Sequence, residues 1–243
     1  MRHASRYFVA VCIALLLAAC DRAPTLPKLG ANDIILAFGD SLTHGTGASA
    51  DEAYPARLAQ LSSRTVVNAG VPGETTAEGL QRLPALLDEH HPRLVLLCLG
   101  GNDMLRRVPA SETESNLRLM LQTLRASGAQ VVLIGVPEPK IFGGAPDFYE
   151  RLADEFALPY DGDTLNTVLK DNALKSDSIH PNAAGYRRMA EALLHITLTD
   201  VVDVLVVGLL LWGLLVWARR VGANLALLGL AVLVGMYAVA LQL

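Results

Sequence analysis

Four short clusters hold the residues whose types and spacing can do chemistry: Phe38-Gly39-Asp40-Ser41-Leu42-Thr43, Asn68-Ala69-Gly70-Val71-Pro72-Gly73, Gly100-Gly101-Asn102-Asp103 and Asp177-Ser178-Ile179-His180-Pro181. A serine hydroxyl is a poor nucleophile until a base takes its proton. Imidazole suits that task because it titrates near neutrality. His180 is the candidate base for Ser41 and, later in a reaction, the acid for a leaving group. An imidazole in that role needs a fixed tautomer and stabilisation when charged. Asp177, three residues upstream of His180, can fold back to the second ring nitrogen within one turn. Taken singly, each cluster reads as a turn, a loop or a helix cap; four of them in order make a pattern.

These clusters need elements to position them. Residues 33–38 form a short apolar run ending in Gly39, and 54–61 have helical spacing. Residues 65–68 read as a second strand and 76–87 as a helix disturbed at Pro84. A continuous apolar strand covers 94–99. Residues 111–127 read as a helix, with Ser111 as N-cap, Glu114 completing a capping box and Gly128 as C-cap. A fourth strand at 131–135 and helices at 148–156 and 183–194 complete the series. Strand–helix alternation with nearly continuous apolar strands predicts a parallel sheet in a three-layer α/β/α arrangement. Sites in such sheets lie beyond the carboxyl ends of the strands. Ser41, Gly70 and Asn102 each follow a predicted strand, and His180 precedes the last helix.

The four clusters, in this order, resemble the Ser, Gly, Asn and His blocks of the SGNH (GDSL) hydrolase family across residues 33–196. The resemblance implies a flavodoxin-like α/β fold and a catalytic set of Ser41, Asp177 and His180. It implies an oxyanion hole from the backbone N–H groups of Ser41 and Gly70 and the side-chain amide of Asn102. Gly70 would then let the backbone approach the substrate closely. The implied activity is hydrolysis of acyl esters through an acyl-enzyme, similar to the bacterial arylesterase, thioesterase and lysophospholipase branch, with no cofactor and no metal. A polysaccharide O-acetyl esterase or an acyl-thioesterase is the enzymatic alternative. A membrane-anchored binding protein on a hydrolase scaffold is the non-enzymatic one.

The two ends account for a hydrophobic content of 52% in 243 residues. Residues 1–19 are basic, then apolar, then small, the layout of a secretory signal. Leu17-Ala18-Ala19-Cys20 resembles the bacterial lipobox, which implies cleavage before Cys20 and lipidation of that cysteine. Asp21 resembles an inner-membrane retention signal. Residues 20–32, with Pro24 and Pro27, read as a tether. At the other end, 201–218 and 221–243 are apolar runs near the spanning length, joined by Arg219 and Arg220. They predict a transmembrane hairpin with the arginines on the cytoplasmic side. Residues 33–198 then lie as a hydrolase domain on the periplasmic face of the inner membrane. Small-molecule or lipid esters and the membrane itself are the expected partners; the sequence sets no oligomeric state. A net charge of −4 gives no electrostatic footprint for nucleic acid.

Several other residues invite roles. Cys98, in an apolar strand, reads as a small core residue. Asp40 and Asp103 are expected to brace loops rather than carry protons. His44 is expected near the rim. His90 and His91 sit at a helix end, where positive charge is favoured. Arg106 and Arg107 read as a solvated loop or as a contact for a phosphate head group. Residues 137–146, rich in Gly and Pro, are expected to form a pocket wall.

Overall fold

A computed structural model describes residues 29–139 and 143–198. Five parallel strands, β1 (Ile34–Gly39), β2 (Thr65–Gly70), β3 (Leu94–Cys98), β4 (Gln130–Ile134) and β5 (Tyr160–Asp161), form one sheet in the order β2-β1-β3-β4-β5. The central strands are the most apolar and the most buried. Every residue of β3 is buried, as are all but the first of β1. The edge strand β2 alternates less cleanly and stays partly exposed, as its Thr65 and Asn68 require.

The helices are α1 (Ser41–His44), α2 (Tyr54–Ser62), α3 (Thr76–His90), α4 (Gly101–Leu105), α5 (Ala110–Ser127), α6 (Phe148–Phe156), α7 (Thr164–Lys170) and α8 (Ala183–Leu198). Chain direction reverses across the sheet after β2, so right-handed crossovers send α2 to one face and α3, α5 and α6 to the other. Consistent with this, α3 packs on α5 and α5 on α6. The reversal also opens the crevice between β1 and β3, the usual place for a ligand in such a sheet. The register brings Gly39, Gly70 and Cys98 level at its carboxyl edge.

Two local expectations are corrected. No capping box forms at Ser111 and Glu114. α5 starts one residue earlier, behind Pro109, and no side chain caps it. Glu114 instead pairs with Arg118 and Arg151. The capping box is at α3, where Thr75 and Glu78 satisfy each other's backbone N–H groups. Pro84 does not interrupt α3. It sits on the exposed face, where water can take the carbonyl its ring leaves unpaired. Four elements were not foreseen at all, the two-residue β5 and the short helices α1, α4 and α7. Cys98 is a buried free cysteine, as expected, and burial pushes its thiol up.

Among the described residues no helix is long and apolar enough to cross a membrane. The expectations for the signal, for Cys20 and for the hairpin at 201–243 lie outside the described residues.

Candidate active site

The site forms where β1 ends. Asp40 is the N-cap of α1, its Oδ1 accepting the Leu42 N–H at 3.0 Å. Ser41 is therefore the first residue of a helix, where an N–H has no intrahelical acceptor. Thr43, one turn in, shares a hydrogen bond with Tyr54 at 3.0 Å and pins α1 to α2.

His180 comes from the loop between α7 and α8. Its Nε2 lies 3.0 Å from Ser41 Oγ, and its Nδ1 lies 2.8 Å from Asp177 Oδ2. A carboxylate can only accept, so Nδ1 carries the proton and Nε2 is left to accept from the Ser41 hydroxyl. The loop is organised locally. Asp177 Oδ1 accepts the N–H groups of Ile179 and His180, each at 2.8 Å. A bridge between Lys175 and Pro181 closes it at the base. Partial burial raises the Asp177 carboxyl, but the His180 ring and these two N–H groups outweigh that and hold it below the usual range.

Asn102, the second residue of α4, crosses the site to β1. Its Nδ2 donates to Asp40 Oδ2 at 3.1 Å and to the Glu74 carbonyl at 3.0 Å. The next residue, Asp103, is buried and accepts from Thr76 N at 2.9 Å and Thr76 Oγ1 at 2.5 Å. Both acids thus brace loops, as expected. Burial, opposed chiefly by the Leu42 N–H, leaves Asp40 with a pKa of about 7.

The turn after β2 is tied down by a part-buried pair that the sequence did not reveal. Arg82 makes a two-pronged contact with the Glu74 carboxylate, at 2.7 and 2.6 Å, and donates to the Ala69 carbonyl at 2.9 Å. Its guanidinium lies 4.4 Å from the centroid of the Phe38 ring. One side chain therefore fastens both ends of the 69–74 segment. Arg106 holds the middle, donating to the Gly73 carbonyl at 2.8 Å. This bond, together with the Glu78 carboxylate at 3.8 Å, occupies Arg106 structurally.

A cavity of about 860 Å³ opens at Ser41, within the range of small-molecule sites. Ser41, Asn102 and His180 line it, with Leu105, Val136 and Pro139 among its apolar walls. Pro137, Glu138, Pro139 and Gly143 bear out the expected wall. His44 is exposed and does not line the cavity.

Gly70 requires a correction. It does not line the cavity, and its N–H donates to Asn68 Oδ1 at 3.0 Å. A Cβ there would fall on the backbone of Thr43 and His44, so this glycine serves the close packing of α1 on β2. Of the two glycines in that segment, the one that lines the cavity is Gly73. It has φ +83°, and among the described residues nothing accepts its N–H. The resemblance implied Gly70; two glycines stand three apart in that segment, and only the path of the turn separates them.

Residues 37–188 match the GDSL-like lipase/acylhydrolase family. A protein of Escherichia coli named thioesterase 1/protease 1/lysophospholipase L1 is 40% identical over 163 residues, covering 64% of this chain and 78% of that protein. Esterase TesA of Pseudomonas aeruginosa is 33% identical over 193 residues, covering 73% of this chain and 94% of that protein. Among solved structures, the crystal structure of TesA superposes with a TM-score of 0.63 at 32% identity, over 69% of this chain and 99% of that one. AlinE4, described as an SGNH-hydrolase family esterase, gives a TM-score of 0.54 at 33% identity, over 73% of this chain and 99% of that one. The chain belongs to the GDSL-like lipase/acylhydrolase family and is a serine hydrolase of ester bonds.

Proposed function

We propose that Ser41, His180 and Asp177 are the catalytic triad of an esterase that takes substrates with an apolar acyl group. The observation that carries this reading is the continuous relay from Asp177 Oδ2 through the imidazole to Ser41 Oγ, at 2.8 and 3.0 Å, at the mouth of a largely apolar cavity. His180 Nε2 accepts the Ser41 proton as Oγ attacks the ester carbonyl, and Asp177 stabilises the imidazolium. The same proton then passes to the departing oxygen, leaving an acyl group on Ser41. Water, activated by His180, releases the acid and restores the hydroxyl.

The developing oxyanion is met by the N–H groups of Ser41 and Gly73 and by Asn102 Nδ2. Both Asn102 amide hydrogens already have acceptors, so the oxyanion shares one of them in a three-centre bond. Asp40 and Glu74 thereby set the direction in which the amide points.

The two ends of the sequence support a site held near a membrane, with Cys20 lipidated and the 201–243 runs spanning the inner membrane from the periplasmic side. Lipid esters such as lysophospholipids are then accessible substrates.

The test is hydrolysis of p-nitrophenyl esters from acetyl to palmitoyl by the full-length chain and by Ser41→Ala. Ser41-dependent turnover with an optimum at medium or long chains is expected. An optimum at acetyl would favour an O-acetyl esterase. Turnover that survives Ser41→Ala would refute the assignment of the nucleophile.

A further inference from the structure

The wall of the cavity differs from one side to the other. The segments that follow β3 and β4 bring Leu105, Val136 and Pro139 to it. α7 and the loop after it bring Asn166, Lys170 and Lys175. Neither lysine makes an ion pair among the described residues, in a chain whose acids outnumber its lysines and arginines by 24 to 20. The last turn of α7 offers Lys170 a favourable helix terminus. Lys175 has no such reason to be there. It is half-buried, and its backbone is fixed by the Pro181 bridge and by Asn182 Nδ2 donating to its carbonyl at 3.3 Å.

The chemistry gives these two sides different meanings. His180 must hand its proton to the departing oxygen, so the leaving group lies on the His180 side of Ser41. Lys175 belongs to the same closed loop as His180, and Lys170 to the helix that enters it. The oxyanion donors Asn102 and Gly73 come from α4 and the turn after β2 instead. An acyl chain against the apolar walls therefore leaves the alcohol portion facing two cations.

The geometry points to Lys170 and Lys175 as specificity residues that select esters whose leaving group carries a negative charge, a carboxylate or a phosphodiester on the alcohol. This inference rests on the assignment of Ser41 and His180 above. Leu169 and Ile179, which also line this side, accommodate a carbon skeleton between the ester and that charge.

The experiment uses two chromogenic hexanoyl esters, of 2-nitrophenol and of 3-hydroxy-4-nitrobenzoic acid, which differ by one carboxylate on the leaving group. The readout is the ratio of kcat/KM values, each divided by the rate of alkaline hydrolysis. The full-length chain is expected to prefer the carboxylate ester by about tenfold, the scale of two solvent-accessible charge contacts. The preference should shrink between about 0.05 and 0.5 M salt, as the Debye length falls from roughly 14 to 4 Å. Lys170→Gln with Lys175→Gln should bring the ratio near one, and Lys170→Glu with Lys175→Glu should invert it. Because the ratio is taken within each variant, partial loss of folded protein cancels. A ratio near one for the unaltered chain, or one that charge reversal does not move, would overturn the inference while leaving the hydrolase assignment standing. Absence of Ser41-dependent turnover of both esters would overturn that assignment and the inference with it.

Discussion

The two halves of the site are built by different means. The nucleophile side stands on the sheet. Ser41 follows a buried strand, Asp40 and Glu74 are buried, and Asn102 is tied to both across 62 and 28 residues of chain. The base side stands on a local loop. Asp177 and His180 are three residues apart, and the Asp177 side chain is 53% exposed. The side-chain partners of Asp177 and His180, apart from Ser41, all lie within the loop. The contrast teaches that the oxyanion donors draw their precision from the core, whereas the base draws its orientation from a turn that could be assembled with little help from the rest of the protein.

Asn102→Ala should lower kcat by about 10²–10³-fold, the usual cost of one oxyanion donor. Asp177→Ala should cost about 10²-fold, less than the roughly 10⁴-fold seen when a buried triad aspartate is neutralised, because the Asp177 carboxylate is exposed and water can take its place against Nδ1. It should shift Tm by no more than about 2 °C, since the loop is local. If Asp177→Ala lowers Tm as much as a change in the core, the loop is not independent of the sheet.

Next in size is Arg82→Met. Removing the cation leaves the Glu74 carboxylate buried without its partner, at a cost of about 2–3 kcal/mol after allowing for the partial exposure of Arg82. It should also lower kcat about tenfold with little change in KM, because Arg82 acts on the reaction only through the turn that carries Gly73. Thermal unfolding and steady-state kinetics on the same sample would separate the two effects.

The last effect, read in stability and not in rate, is one of pH. Asp40 has a folded pKa of about 7, raised by burial from 3.8. Below the lower value both folded and unfolded chains bind its proton, and its contribution to stability is fully present. As pH rises toward 7 the unfolded chain gives the proton up first, so stability falls, by about 3–4 kcal/mol in total. Asp40→Asn should remove that slope. Denaturant unfolding of both proteins at several values between about pH 4.5 and 7.5 measures it as a difference, in which the other titrating groups cancel.

The parts of the molecule that were legible in the sequence share a physical property. Helix 148–156 and the run at 94–99 have strong periodicity or unbroken apolarity, and the structure places the helix as read and the strand to within one residue. The Asp177–His180 spacing encodes a turn, and the turn is there. The elements that escaped are short or long-range. β5 has two residues and is defined by its pairing with β4, not by its own pattern. Ser111 and Glu114 satisfy the spacing of a capping box, but Pro109 begins the helix and Glu114 is drawn to Arg118 and Arg151. The bond from Arg82 to Glu74 joins a helix to a loop, and no local spacing announces it. Gly70 and Gly73 show the same limit. Either could free a backbone N–H, and only the fold shows that the first is spent on α1 while the second faces the cavity.

The central claim is that Ser41 is activated by His180 and accepts the acyl group. The most direct measurement is the intact mass, followed by peptide mapping, of the full-length chain treated with an alkyl fluorophosphonate, which captures activated serines. One adduct on Ser41, formed at least about 10³ times more slowly in His180→Ala, is the predicted result. An adduct on another serine, or a Ser41 adduct whose rate does not depend on His180, would contradict the account.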